Sequence, residues 1–145
     1  MGETSSPELK RSYFETKADA DAVMATLNRS LFYWWFVVLS TCRTVSLREI
    51  GHFRIGLDRM ELALKQRLSS FSTELMSDLK RHAKRKETFY KATGRVVFDE
   101  FSPRNSKYIM DKLDRVLAQH DGFTDEELDF IINYDIKYRM GLGNE

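Results

Sequence analysis

Apolar residues recur three or four positions apart over most of this chain, the spacing that places them on one side of a helix. Val23, Leu27, Leu31 and Trp34 follow that spacing after Thr16, which can cap a helix whose first turn carries Asp19 and Asp21. The pattern predicts one helix from Thr16 to about Leu39. Ahead of it, residues 1–8 read as a flexible lead-in, and Leu9 to Thr16, with Tyr13 and Phe14, reads as a short strand. Residues Ser40 to Thr44 are polar and predict a loop. Ser46 with Glu49 three positions on forms a capping-box pattern over a short helix, and Gly51 and Gly56 bracket a short extended piece, HFRI.

A long central helix is expected from Leu57 to Thr88, with Met60, Leu64, Leu68, Phe71, Leu75 and Leu79 forming its stripe. Gly94 breaks that pattern, residues 95–101 (RVVFDEF) are β-prone, and Pro103 closes them. Asn105 or Ser106 can cap the next helix, striped by Ile109, Leu113, Val116 and Leu117 and ended by Asp121-Gly122. Thr124 with Glu127 makes a second capping box, opening a last helix to Met140 with Leu128, Ile131, Ile132, Ile136 and Met140 on its buried face. The fold class is mainly α with minor β: a single helical domain or domain fragment over 1–145, with a long central helix and a short strand or hairpin. No internal repeat or low-complexity tract interrupts it.

Composition narrows the functional classes. Of 145 residues, 42% are hydrophobic, enough for a core, and 31% are charged, which excludes a disordered composition. The formal net charge of +1 neither favours nor disfavours nucleic acid, so charge must be read locally. Cys42 is the only cysteine, which excludes an internal disulfide and a cysteine-rich zinc site. The polar start lacks the apolar core of a secretory signal, and the most apolar run, LFYWWFVVL (31–39), falls well short of the roughly 20 residues that span a bilayer. An intracellular, cytoplasmic setting without membrane contact is expected.

Chemistry-bearing residues are scattered. His52, His82 and His120 lie far apart in sequence and form no metal-binding pair, so solvated or hydrogen-bonded roles are favoured. Asp125, Glu126 and Glu127 occupy the first turn of a helix, where the helix dipole accounts for them without a metal. Cys42 beside Arg43 has no placed base and reads as an ordinary thiol. The most uneven charge is KRHAKRK, residues 80–86. On one helix, Lys80 and Lys84, flanked by Arg81 and Arg85, would share a face suited to phosphates, while a solvated helix end explains the run equally well. Arg43, Arg48 and Arg54 form a looser set after the aromatic run; phosphate or base contacts compete there with surface salt pairing, for example with Glu49. Phe32 to Phe36 could stack on unpaired bases, but contiguous aromatics point all round a helix, which favours packing.

Two blocks go beyond generic pattern. LNRSLFYWWFVVLSTCRTVSLREIGHFRI (27–55) resembles a block in the C-terminal part of type II restriction–modification adenine-N6 DNA methyltransferases: an LNxSLFYW-like helix, a polar loop ending in arginine, a short helix, then FxI. SKYIMDKLDRVLAQHDGFTDEELDFIINYDIKYRMG (106–141) resembles the closing segment of the same family. One departure is Asp121, where an aromatic is expected before Gly122.

The resemblance implies a division of labour. In this family an N-terminal Rossmann-like domain binds S-adenosylmethionine and transfers the methyl group, and the C-terminal region helps grip and recognise DNA. The family's catalytic turn, Asn/Asp-Pro-Pro-aromatic, needs adjacent prolines; Pro7 and Pro103, the only prolines, are far apart, and no glycine-rich cofactor loop follows a strand. The expectation is therefore a DNA-binding, target-recognition portion with no catalytic residue and no cofactor of its own. Its expected partners are double-stranded DNA and a methyltransferase catalytic domain or subunit. Arg43, Arg48, Lys80, Arg81, Lys84, Arg85 and Lys86 are the expected DNA contacts. Tyr134, Lys137 and Arg139 belong to the closing motif, with a structural role favoured over DNA contact. The competing expectation is a helical interaction module, or a truncated remnant, that docks on a methyltransferase core without touching DNA.

Overall fold

The computed structural model describes residues 10–141, which form seven α-helices and one two-stranded antiparallel hairpin. This matches the mainly α, minor β class. The expected lead-in over residues 1–8 and the expected strand's first residue, Leu9, lie outside the described residues; residues 10–16 contain no strand.

Helix α1 (Lys17–Leu27) starts where Thr16 accepts a hydrogen bond from the Asp19 N–H at 3.1 Å. It does not run on to Leu39. Asn28 turns its side chain back onto the Met24 carbonyl at 2.8 Å, Arg29 is extended, and α2 (Ser30–Leu39) leaves at a 59° bend. The apolar spacing is unbroken across this point, and the break coincides with the Asn28 cap and with the ion pairs of Arg29 described below. Within α2, Phe32 is buried, stacking on Trp35 at 5.9 Å and meeting Phe53 edge-on at 5.0 Å, so the aromatic run packs in part on itself.

The short helix α3 (Leu47–His52) carries the expected capping box of Ser46 and Glu49. Gly51 lies inside this helix rather than at the start of an extended HFRI, and a 3-10 turn at Leu57–Arg59 leads towards α4 (Leu62–Arg81). The α4 stripe is as expected at its centre: Leu68 and Leu75 are fully buried. Beside it lie Lys65–Asp19 at 2.8 Å and Ser72 Oγ on the Asp21 carbonyl at 2.8 Å, which bind α4 along α1.

The expected helix to Thr88 stops at Arg81. From there the chain forms β1 (Lys84–Tyr90), which pairs with β2 (Gly94–Glu100), Lys84 opposite Glu100 and Tyr90 opposite Gly94. Thr88, Phe89 and Tyr90 favour a strand, and opposite charges across the ladder stabilise it: Arg85 faces Asp99, and Arg95 binds Glu87 through two nitrogens at 2.6 and 2.9 Å. Gly94 closes the turn at φ +73, a left-handed conformation that a side chain disfavours.

A 3-10 turn at Pro103–Ser106 leads into α5 (Lys107–Asp121), which ends on Gly122 at φ +75. Helix α6 (Asp125–Asn133) carries the expected capping box of Thr124 and Glu127. The expected single helix to Met140 is broken: Tyr134 leaves helical geometry, Asp135 adopts φ +54, and α7 (Ile136–Met140) follows. Only Ile131 of the expected buried face is fully covered; Leu128, Ile132, Ile136 and Met140 are half-buried.

The core joins α1, α4 and α5 through Ala22, Ala25, Leu68, Leu75, Ile109, Leu113 and Leu117, together with Met60. Each such leucine stabilises the fold by about 1.5–3 kcal/mol relative to exposure. Among the described residues no single helix is long and apolar enough to cross a membrane, although the bent pair α1 and α2 together reach the length and composition.

Candidate nucleic-acid interface

The first polar centre joins segments about a hundred residues apart. Arg29, at the α1–α2 break, is 3% exposed. Its guanidinium reaches Asp121 at 2.5 Å and lies 3.6 Å from Asp114, both on α5. Asp114 is fully buried and also accepts the backbone N–H of Ser30 on both oxygens. Burial pushes the Asp114 carboxyl above its ordinary value, against the hydrogen bonds from Ser30 and the charge of Arg29. Asp121, where the resemblance leads to the expectation of an aromatic, is here a partner of Arg29.

The closing segment returns to the same place. Arg139 donates to Ser30 Oγ at 2.8 Å and to the Ile132 carbonyl at 3.3 Å, with its guanidinium 4.9 Å from the Tyr33 ring centre. Tyr33 donates to Asp135 at 3.0 Å, which holds the left-handed residue between α6 and α7. Burial first, and then this hydrogen bond, raise the Tyr33 phenol. Tyr134 packs beside Tyr33 with ring centres 6.4 Å apart. Tyr134 and Arg139 therefore hold the tail on α2, whereas Lys137 is exposed.

The second centre is Asp78, a buried carboxylate in the last turn of α4. It accepts Ser106 Oγ at 2.8 Å and Tyr108 OH at 3.2 Å, pairs with Arg81, and faces His82 Nδ1 at 3.5 Å. The Ser106 hydrogen bond, with Tyr108, Arg81 and His82 behind it, holds the carboxyl below the ordinary carboxylate value despite burial. The hairpin leaves the body after residue 83 and returns before residue 103, so Asp78 fastens both of its ends.

The seven expected DNA contacts divide by element and by pairing. Residues 80–86 do not share a helical face: Lys80 and Arg81 end α4, and Lys84, Arg85 and Lys86 alternate on β1, which sends Arg85 to the face opposite Lys84 and Lys86. Arg81 pairs with Asp78, Arg85 with Asp99 at 3.0 Å, and Lys86 with Glu100 at 2.7 Å. Lys80 and Lys84 have no carboxylate within ion-pair distance among the described residues, and neither do Arg43 and Arg48. Arg43 lies in the α2–α3 loop. Arg48, on α3, lines a groove of about 440 Å³ with Trp35, Glu49 and His52. Glu49 accepts from the Ser46 N–H and hydroxyl and forms no ion pair with Arg48, although the Arg48 charge helps to lower its carboxyl behind those hydrogen bonds.

Sequence reasoning missed a cleft of about 790 Å³ between α2, residues 101–104 and α7, lined by Phe36, Phe101, Arg104, Tyr138 and Arg139 among others. Tyr138 and Arg139 lie in the closing motif, but Phe101 and Arg104 join them only through the return of the hairpin. Among the described residues no group of three or more His, Cys, Asp or Glu side chains comes together as a metal site. Cys42 is exposed at φ +55, and among the described residues its hydrogen bonds go to main-chain carbonyls and the Ser40 hydroxyl. Comparison with protein-family models, curated proteins and solved structures gave no match.

Proposed function

We propose that this chain is the DNA-gripping, target-recognition portion of an adenine-specific DNA methyltransferase of the restriction–modification type, working with a separate S-adenosylmethionine-binding catalytic domain or subunit. The observation that carries this reading is the joining of residues 27–55 to residues 106–141, the two stretches that resemble the family. Arg29 with Asp114 and Asp121, Arg139 with Ser30, and Tyr33 with Asp135 all cross between them. A resemblance spread over two distant stretches thus falls on one packed unit.

The unpaired cations Arg43, Arg48, Lys80 and Lys84 supply the grip. They approach phosphates without first giving up an ion pair, and phosphate contacts fix position without reading sequence. Arg81, Arg85 and Lys86 are engaged internally and contribute less. The methyl-transfer chemistry belongs to the partner domain.

Titration of the 145-residue chain into a labelled duplex tests the reading. Neutralising four phosphates weakens binding about a hundredfold between 50 and 200 mM salt. Affinity unchanged over that range contradicts it.

A second reading, a docking module that never meets DNA, is favoured by one observation. The hairpin exposes Phe89 (78%) with Val97 on one face and Tyr90 with Phe98 on the other, apolar side chains suited to a protein partner. Stable complex formation with a methyltransferase core and no measurable duplex affinity would establish that alternative.

A further inference from the structure

The cleft of about 790 Å³ falls in the size range of small-ligand sites. Its lining combines two chemistries. The aromatic part comes from Tyr33 and Phe36 on α2, Phe101 at the hairpin exit and Tyr138 on α7. Tyr138 is 81% exposed, and among the described residues neither it nor Phe101 packs on another ring. Phe101 is 46% exposed, so both rings keep surface accessible to a ligand.

The cationic part is uncompensated. Arg29 and Lys107 also reach the cleft, but their charges are met by Asp114 and Asp121, and by Asp111. Arg104 has no carboxylate within ion-pair distance among the described residues. Among the described residues the side chain of Arg139 has neutral partners alone: the Ser30 hydroxyl, the Ile132 carbonyl and the Tyr33 ring. Two guanidiniums beside accessible aromatic rings call for a ligand that is both flat and anionic. A nucleotide is both: its base stacks on rings and its phosphate takes the guanidinium fork.

We propose that this cleft holds an unpaired nucleotide of a DNA strand, its base against Tyr138 and Phe101 and its phosphate on the Arg104 guanidinium, while Arg139, whose terminal nitrogens already donate to Ser30 and Ile132, adds positive charge. This rests on the reading that the chain works on DNA, and it assigns a second, distinct mode of contact. Arg43, Arg48, Lys80 and Lys84 grip the duplex, and the cleft takes a nucleotide that has left it. A base-modifying enzyme generates such a species, because extruding one base leaves the opposite nucleotide without its pair.

The experiment uses the full chain and two DNA probes. One is a trinucleotide with central 2-aminopurine, too short to bridge the duplex-gripping cations; the other is a matched duplex. Quenching of 2-aminopurine by the wild-type chain is expected. Tyr138→Ala and Arg104→Ala should each weaken trinucleotide binding about tenfold or more while leaving duplex affinity within about twofold. Unchanged circular dichroism and melting confirm that both variants fold.

No quenching at saturating protein, or equal quenching by both variants, overturns the cleft assignment even where duplex binding stands. Variant-sensitive trinucleotide binding without duplex binding upholds the cleft and removes the duplex grip. Binding of an acidic, aromatic peptide in place of the trinucleotide overturns the proposal in favour of a protein occupant.

Discussion

The backbone N–H of Ser30 is held by both carboxylate oxygens of Asp114, at 2.9 and 3.1 Å. Ser30 opens α2, and Arg29 before it provides no side-chain cap. A carboxylate from α5 thus replaces the local cap and places negative charge where the helix dipole favours it. The same carboxylate balances Arg29. Asp114→Ala leaves that guanidinium and a helix N–H without this partner, and unfolding in urea should show a loss of about 3–5 kcal/mol. Asp114→Asn keeps one acceptor and should lose less. A loss under about 1 kcal/mol for Asp114→Ala would contradict the capping role.

Asp78 predicts a pH dependence. Its carboxyl is depressed below the ordinary value of 3.8 by Ser106 first, with Tyr108, Arg81 and His82 adding to it. A depressed carboxyl stabilises the fold above the unfolded value, and that contribution is lost as pH falls through the folded value. The stability gap between wild type and Asp78→Asn should therefore be constant well above pH 3.8 and shrink below it. Parallel stability curves from neutral pH into the acid range would contradict this assignment.

Gly94 isolates a backbone effect. A Cβ built there meets nothing within 4 Å, yet φ is +73. Gly94→Ala should therefore destabilise by about 1–2 kcal/mol through conformation alone. Amide exchange in β1 and β2 should accelerate more than in α5. Unchanged stability would mean that the turn relaxes to another geometry.

The elements with their own caps and stripes were legible in the sequence: α3 and α6 from their capping boxes, and the α4 and α5 stripes through Leu68, Leu75, Ile109, Leu113 and Leu117. The breaks set by distant partners were not. Val23, Leu27, Leu31 and Trp34 continue a helical spacing through Asn28 and Arg29, where Asn28 caps α1 and Arg29 meets α5. Asp135 interrupts the last helix, where its carboxylate accepts the hydroxyl of Tyr33, 102 residues earlier in the chain. Residues 84–88 read as a helical extension because Lys84, Arg85 and Lys86 carry no strand pattern of their own; Asp99 and Glu100, the partners of Arg85 and Lys86, lie on the returning strand. The basic cluster was visible as composition, and its division into paired and unpaired cations was not. The cleft was least visible, because Phe101 and Arg104 reach Tyr138 and Arg139 only after the hairpin folds back.

The proposed function rests on unpaired cations gripping duplex DNA, and the salt dependence of binding measures that grip directly. The wild-type chain, a variant with Arg43, Arg48, Lys80 and Lys84 changed to alanine, and one with Arg81, Arg85 and Lys86 changed to alanine are titrated into one duplex at several salt concentrations. Each lost phosphate contact lowers the slope of log affinity against log salt by about 0.9, so the first variant should lose about 3.6. The second should lose clearly less, because its cations are held by Asp78, Asp99 and Glu100. Equal slopes for wild type and the first variant, or no duplex binding by the wild-type chain, would contradict the account.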